Sequence, residues 1–318
     1  MANFIAYTTV NMSGTDAPFN GTIVGANASQ ITINYPTGKT DVFFGRFTYS
    51  ADGNEVFGTL TGYEGYIGSA LGVQINFGNV DAHTASNLVL TGQNQALLRL
   101  ALTGNDVISG SIGNDVLNGY GGNDVIIPGP GNDSVDSGSG FDSVLIHSNR
   151  FSTSATISNG VVSLNGADGS DMIVNAERIQ FNDVVVALDI QGNAGNAYRL
   201  YQAAFDRVPD QAGLSFWTHQ LDLGLNIFAA AQGFVNSSEF RNVYGTNPSN
   251  THIVDLMYQN VLGRAGEPAG INFWVGQLDR GLPVGELLQG FAASSENHGI
   301  VDPVLVTGIT LNSTAFLV

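Results

Sequence analysis

Gly104-Asn105-Asp106-Val107-Ile108, Gly113-Asn114-Asp115-Val116-Leu117, Gly122-Asn123-Asp124-Val125-Ile126 and Gly131-Asn132-Asp133-Ser134-Val135 follow one another at a spacing of nine residues. Gly140-Phe141-Asp142 closes the run, with Phe in place of Asn, and Val144 keeps the aliphatic place two after the aspartate. No Lys or Arg lies between Arg99 and Arg150, yet six aspartates, these five and Asp136, fall in that stretch. Stacked carboxylates without a counter-charge repel one another and disorder the chain. A bound cation removes the conflict.

The donor types narrow the cation. Carboxylate and backbone oxygens, with neither Cys nor clustered His, suit a hard ion such as calcium. Glycine supplies backbone angles that turn carbonyls inward. The aliphatic residue two places after each Asp starts a short strand whose side chain points inside. Nine residues then make one turn and one strand, and two repeats make one coil of a flattened parallel roll. On that geometry Asp106, Asp124 and Asp142 stack on one edge, and Asp115 and Asp133 on the other.

Gly110-Ser111-Ile112-Gly113-Asn114-Asp115-Val116-Leu117-Asn118 resembles the RTX nonapeptide, in which glycines precede an Asp and an aliphatic residue follows it. The resemblance implies about three inter-turn calcium sites. Its expected metal residues are Asp106, Asp115, Asp124, Asp133 and Asp142, with Gly104, Gly113, Gly122 and Gly131. The pattern departs at Ser111, where a second Gly is usual, and at Pro128 and Pro130 in the fourth turn. RTX-like proteins leave the cell by type I secretion through an uncleaved C-terminal signal, and the apolar, hydroxyl-rich tail 305–318 resembles one. The expected partners are therefore calcium and a type I secretion apparatus. Where calcium is scarce the acidic roll stays unfolded, and where it is plentiful binding energy becomes folding energy.

The 318 residues are enough for two or three domains. A net charge of −17 and a single lysine, Lys39, argue against nucleic acid and against adsorption to anionic lipid. Cysteine is absent, which fits export as an unfolded chain. The N-terminus shows no charged segment followed by an apolar run, so no cleavable secretory signal is expected. No apolar run approaches the roughly 20 residues needed to span a bilayer.

The expected architecture is multidomain. Residues 1–100 read as an all-β domain, a sandwich or small sheet, from the alternation in 31–35 and 41–49 and the turn residues between. It ends in a helix over 81–101, which could cap the open end of the roll. Residues 101–150 form the β-roll and 151–190 a β cap. Residues 191–300 hold a tandem helical module, in which 198–240 and 255–297 align without a gap at an offset of 57. Tyr201 matches Tyr258, Arg207 matches Arg264, and Phe216-Trp217 matches Phe273-Trp274. Two or three short helices per copy are expected, one capped by Ser237 or Ser238. This pair resembles a tandem of the domain-of-unknown-function 4214 family. Residues 301–318 are the tail.

No catalytic residues are expected. His-Glu-x-x-His, Gly-x-Ser-x-Gly and Gly-x-x-x-x-Gly-Lys-Ser/Thr are all missing. His83, His147, His219, His252 and His298 are scattered and read as surface or satisfied residues. Trp217 and Trp274 could stack on sugars, but their helical spacing with Leu221 and Leu278 reads as core. Arg207 and Arg264 read as ion-pair partners of Asp210 and Glu267. The composite expectation is a secreted or cell-surface, calcium-dependent structural or adhesive protein that self-associates or meets surface polysaccharide. The alternatives are a monomeric binder of glycan or lipopolysaccharide and an enzyme of unrecognised type.

Overall fold

The computed structural model describes residues 1–14, 18–158 and 160–313. The chain forms two compact units, Met1–Asn182 and Asp183–Val318. No helix among the described residues is long and apolar enough to cross a membrane.

The first unit begins with β1 (Asn3–Ala6), β2 (Thr22–Ala26), β3 (Gln30–Asn34), β4 (Lys39–Tyr49), β5 (Val56–Ile67) and β6 (Ala70–Asp81). These strands pair antiparallel in one sheet, not a sandwich, in the order β1-β6-β5-β4-β3-β2. Inward-facing Ile31, Ile33, Phe43 and Phe47 are buried, as alternation predicts. Asp81 Oδ1 accepts the Thr84 N–H at 2.8 Å and so caps α1 (Ala82–Leu90). A further helix, α2 (Asn94–Ala101), precedes the roll.

The roll consists of β7 (Val107–Ser109), β8 (Val116–Asn118), β9 (Val125–Ile127), β10 (Ser134–Asp136) and β11 (Ser143–Leu145). Each has three residues and buries only the middle one. β7, β9 and β11 pair in parallel on one face, and β8 and β10 on the other. The middle residues Ile108, Leu117, Ile126, Val135 and Val144 are at most 1% exposed. Burying each such side chain contributes about 1.5–3 kcal/mol.

The ends of the roll differ from expectation. Its amino end is covered by the N-terminal segment itself, not by a helix. β1 pairs in parallel with β7, setting Phe4 beside Ile108, while Met12 N–H donates to the Val116 carbonyl at 2.8 Å. A strand can satisfy the edge's backbone groups, which a helix cannot. β1 thus joins the antiparallel sheet to the roll, and the sheet runs on through β7, β9 and β11.

At the other end a hairpin, β12 (Ser154–Ser158) and β13 (Val161–Gly166), leaves the roll. The chain then returns as β14 (Gly169–Val174), parallel to β10, and β15 (Arg178–Gln180), parallel to β11. The segment expected as a cap therefore contains one more coil of the roll.

The second unit pairs β16 (Val184–Ala187) antiparallel with β17 (Ile309–Asn312). Between them lie α3 (Asn193–Phe205), α4 (Gln211–Asp222), α5 (Ile227–Val235) and α6 (Ser238–Tyr244), then α7 (Asn250–Leu262), α8 (Pro268–Asp279), α9 (Val284–Ala292) and α10 (Ser295–Leu305). Each copy has four helices rather than two or three, because Asp206-like and Gly224-like turns split the periodic stretches. Ser237 caps α6 and Ser294 caps α10 through their hydroxyls. Leu200, Ala203, Ala204, Val254, Met257, Leu287 and Phe291 share one core. The last residues of the tail, 314–318, lie outside those described, so the secretion-signal expectation has no structural counterpart there.

Candidate metal centre

The five repeat aspartates are buried, each at most 3% exposed. The roll brings them together as two ladders. The backbone N–H of Asp106 donates to Asp124 Oδ1, and that of Asp124 to Asp142 Oδ1, both at 2.8 Å. On the other edge the Asp115 N–H donates to Asp133 Oδ1 at 2.8 Å. One oxygen of each acid therefore holds the register of the preceding turn.

The second oxygen is different. Oδ2 of Asp106, Asp124, Asp133 and Asp142 is buried and accepts no hydrogen bond from the protein. An unmade bond at a buried carboxylate is costly, and each such atom calls for an explanation. Four of them, repeating with the turns, are not an accident of packing. Asp115 stands apart: Val10 N–H donates to Oδ1 at 2.6 Å, and the Ser111 N–H and hydroxyl donate to Oδ2 at 2.6 and 3.0 Å. Serine in place of the second glycine fills the valence that is open elsewhere. Asp106 Oδ1 accepts the Ala2 N–H and lies 3.9 Å from the Met1 amino nitrogen.

Burial drives the electrostatics. Loss of water pushes Asp124 up to about 6, although the Asp106 N–H works against it and the Asp106 charge adds to it. Desolvation likewise raises Asp133 to about 6 and Asp142 to about 7, with charges on neighbouring turns adding to both. Carboxylates held this way either take a proton or take a metal ion.

The glycines leave the room. A Cβ on Gly119 would sit 2.6 Å from Asp124 Oδ2 and would overlap the Ser137 carbonyl oxygen. A carboxylate and a carbonyl of the next turn thus converge on a space only glycine keeps open. Gly131 has φ of 150°, and a Cβ there would overlap the Gly113 carbonyl. Gly122 shares this conformation, whereas Gly104 and Gly113, in the first two turns, do not.

Among the described residues no group of three or more His, Cys, Asp or Glu side chains is gathered as a closed cage. The acids come one per turn, and carbonyl oxygens would complete the shell. That donor set, hard oxygens with few full charges, fits calcium better than zinc or copper.

The asparagines escaped the sequence reading. Asn123 N–H donates to Asn105 Oδ1, and Asn132 N–H to Asn114 Oδ1, both at 2.8 Å. They form a further ladder beside the acids, and their place directly before Asp106, Asp115, Asp124 and Asp133 was the signal. Also missed were Asp171 and Glu177, which accept the N–H groups of Asp133 and Asp142 at 3.1 and 2.7 Å.

In the helical unit, Trp217 stacks on Phe234 with ring centroids 5.0 Å apart, and Trp274 meets Phe291 at 5.7 Å. Phe216 and Phe273, beside them, are each 53% exposed. Arg207 pairs with Asp210 at 3.4 Å and more closely with Glu239 at 2.6 Å; Arg264 pairs with Glu267 and Glu296 at 2.9 and 2.8 Å.

With two ladders of buried acids in view, the family comparison is direct. Residues 101–135 and 129–144 match the RTX calcium-binding nonapeptide repeat. These segments are RTX repeats. Residues 231–301 match a domain of unknown function, DUF4214, covering the second helical copy and the last part of the first. No curated protein matches the chain. Among solved structures, the extracellular lipase LipA from Serratia marcescens is 19% identical, with a TM-score of 0.24. The likeness covers 28% of this chain and spans only 16% of the lipase chain, too little to speak of shared fold or activity.

Proposed function

We propose that this is a secreted, calcium-folded structural or adhesive protein of the cell surface: a surface-layer, matrix or filament subunit, or an adhesin. The observation that carries the reading is the row of buried Oδ2 atoms on Asp106, Asp124, Asp133 and Asp142 that the protein itself leaves without a hydrogen bond. Bound calcium would supply the positive charge that lets these acids stay ionised while buried.

Each residue's part follows from its contacts. Oδ1 of each acid fixes the turn before it, Oδ2 of Asp106, Asp124, Asp133 and Asp142 offers a ligand, and the aliphatic residue two places on anchors the turn in the core. Ligand binding and folding are then one event. Where calcium is dilute the acids oppose collapse, which keeps the chain fit for passage through a type I secretion apparatus. We assign no catalytic residue. The tandem helical module, with an exposed Phe at the same place in each copy, is the part we assign to contact with another copy or with surface polysaccharide.

The test is a calcium titration of chelated protein, followed by far-ultraviolet circular dichroism and light scattering. Gain of β signal with growth to large ordered particles supports the structural reading. Gain of β signal in a protein that stays monomeric rejects assembly and favours the soluble glycan or lipopolysaccharide binder. No response to calcium rejects the calcium-folded reading altogether.

A further inference from the structure

We propose that the calcium array extends beyond the nonapeptide repeats, to a site that Asp133 shares with Asp171 in the returning strand β14. The inference rests on the calcium reading above but concerns residues the repeat pattern does not reach.

Residues 168–173 reproduce the contacts of a repeat turn. Gly131 N–H donates to the Asp168 carbonyl at 2.7 Å, as Gly122 N–H donates to Ser139 at 2.9 Å. Ser170 N–H donates to Asn132 Oδ1 at 2.8 Å, as Asn132 N–H does to Asn114. Met172 N–H donates to the Asp133 carbonyl at 2.8 Å, as Ser134 N–H does to Asp115 at 2.9 Å. Ile173 stands beside Val135 as Val135 stands beside Leu117, and is fully buried. Gly169 has φ of 135°, and a Cβ there would overlap the Gly131 carbonyl, just as one on Gly131 would overlap Gly113. Asp171 completes the set: its Oδ1 accepts the Asp133 N–H at 3.1 Å.

Contact geometry alone would make this a structural turn. The open valence on the facing acid makes it a site. Asp133 is 3% exposed, and its Oδ2 has no hydrogen-bond partner. Asp171 is itself 9% exposed and carries a second carboxylate into the adjoining layer. Asp106 and Asp124 are likewise two acids one layer apart, joined by the same N–H to Oδ1 bond; in that pair both Oδ2 atoms are open, here that of Asp133. The ligand is a divalent hard cation, calcium.

The experiment counts calcium bound by the full-length protein, by calorimetric titration, for the natural sequence and for Asp171→Asn. The amide keeps an oxygen for the Asp133 N–H, so the turn retains its register bond. A loss of one calcium per chain, or at least tenfold weaker binding of one, is expected. Asp168→Asn, which removes an equal charge from an exposed residue and keeps the carbonyl that joins the turn, is expected to bind the same number as the natural sequence. An unchanged count and affinity in Asp171→Asn overturns this proposal and leaves the repeat sites standing. A natural protein that binds no calcium overturns both readings. A second readout guards against misfolding of the variant. In the natural protein, hydrogen exchange at the amides of residues 170–174 should slow as calcium is added, and exchange that ignores calcium would also sink the proposal.

Discussion

The backbone N–H of Asp124 donates to Oδ1 of Asp142 at 2.8 Å, across 18 residues of chain. One oxygen of Asp142 thereby sets register, and the other, open and buried, is the one we propose for ligation. Asp106, Asp124 and Asp133 share this division and Asp115 does not, so losing one of the four open carboxylates disturbs both the site and the neighbouring turn's placement.

Asp124→Asn and Asp115→Asn should therefore differ. Asp124 has an open Oδ2, whereas both oxygens of Asp115 accept protein donors. We expect Asp124→Asn to weaken calcium binding roughly 10–100-fold, the range for losing a partner at a metal site. Asp115→Asn should alter affinity less and thermal stability more. Calorimetry and melting of the two variants at matched calcium would show the order, and equal affinity losses would contradict it.

Calcium should flatten the pH response. Without the ion, Asp124 and Asp133 titrate near 6 and Asp142 near 7 in the folded chain, against about 3.9 when unfolded. The folded state then holds more protons between about pH 4 and 7, so apo stability rises as pH falls through that window. With calcium bound the acids stay ionised in the folded as in the unfolded chain across that window, so stability should be nearly flat there and be lost only as pH falls toward about 4. Melting temperatures at pH 7.5 and 5, in chelator and in calcium, read both slopes; parallel slopes would refute the assignment.

Ile126→Ala removes a fully buried side chain from the middle of the roll. The cost should be about 2–5 kcal/mol by denaturant titration in calcium. A value below 1 kcal/mol would mean that the ladder, not the core, holds the roll together.

Two equivalent glycines should not be equivalent on substitution. A Cβ on Gly233 would overlap the Trp217 ring, while one on Gly290 would lie 3.2 Å from Trp274 Cη2. Gly233→Ala should cost about 1–3 kcal/mol. Gly290→Ala should cost less, and the comparison needs only two melting curves.

Arg199 is 1% exposed and bonds Asp302 at 2.7 Å, with the Ile190 carbonyl and Asn196 Oδ1 at 2.9 and 2.8 Å. Asp302→Ala would leave a buried guanidinium charge without its carboxylate, at about 3–5 kcal/mol. The more exposed pair of Arg264 and Glu296 should matter far less, because water screens it. Denaturation of Asp302→Ala and Glu296→Ala tests the contrast.

Much of this was readable from residue types. The nine-residue period gave both ladders and the core column, because each position in a roll has one fixed environment. The offset of 57 is kept by the structure: α3 and α7 start at Asn193 and Asn250, and α4 and α8 at Gln211 and Pro268. What escaped was whatever the period does not mark. Ala2 and Val10 join the ladders through backbone N–H groups alone, so no side chain betrays them. Glu239 and Glu296 lie 32 residues from the arginines they pair with, beyond the reach of local spacing. Gly169-Ser170-Asp171-Met172-Ile173 follows the rule of an aliphatic two after the acid, but it falls out of step with the repeats before it.

That loss of step has a use. Asp133 reaches its next-turn acceptor over 38 residues, where Asp115 needs only 18 to reach Asp133. The intervening β12–β13 hairpin leaves and rejoins without shifting a single rung, so the scaffold counts matched side chains and ignores the length of chain between them. Foreign peptides spliced into that hairpin's tip should be carried on the outside of an unchanged frame.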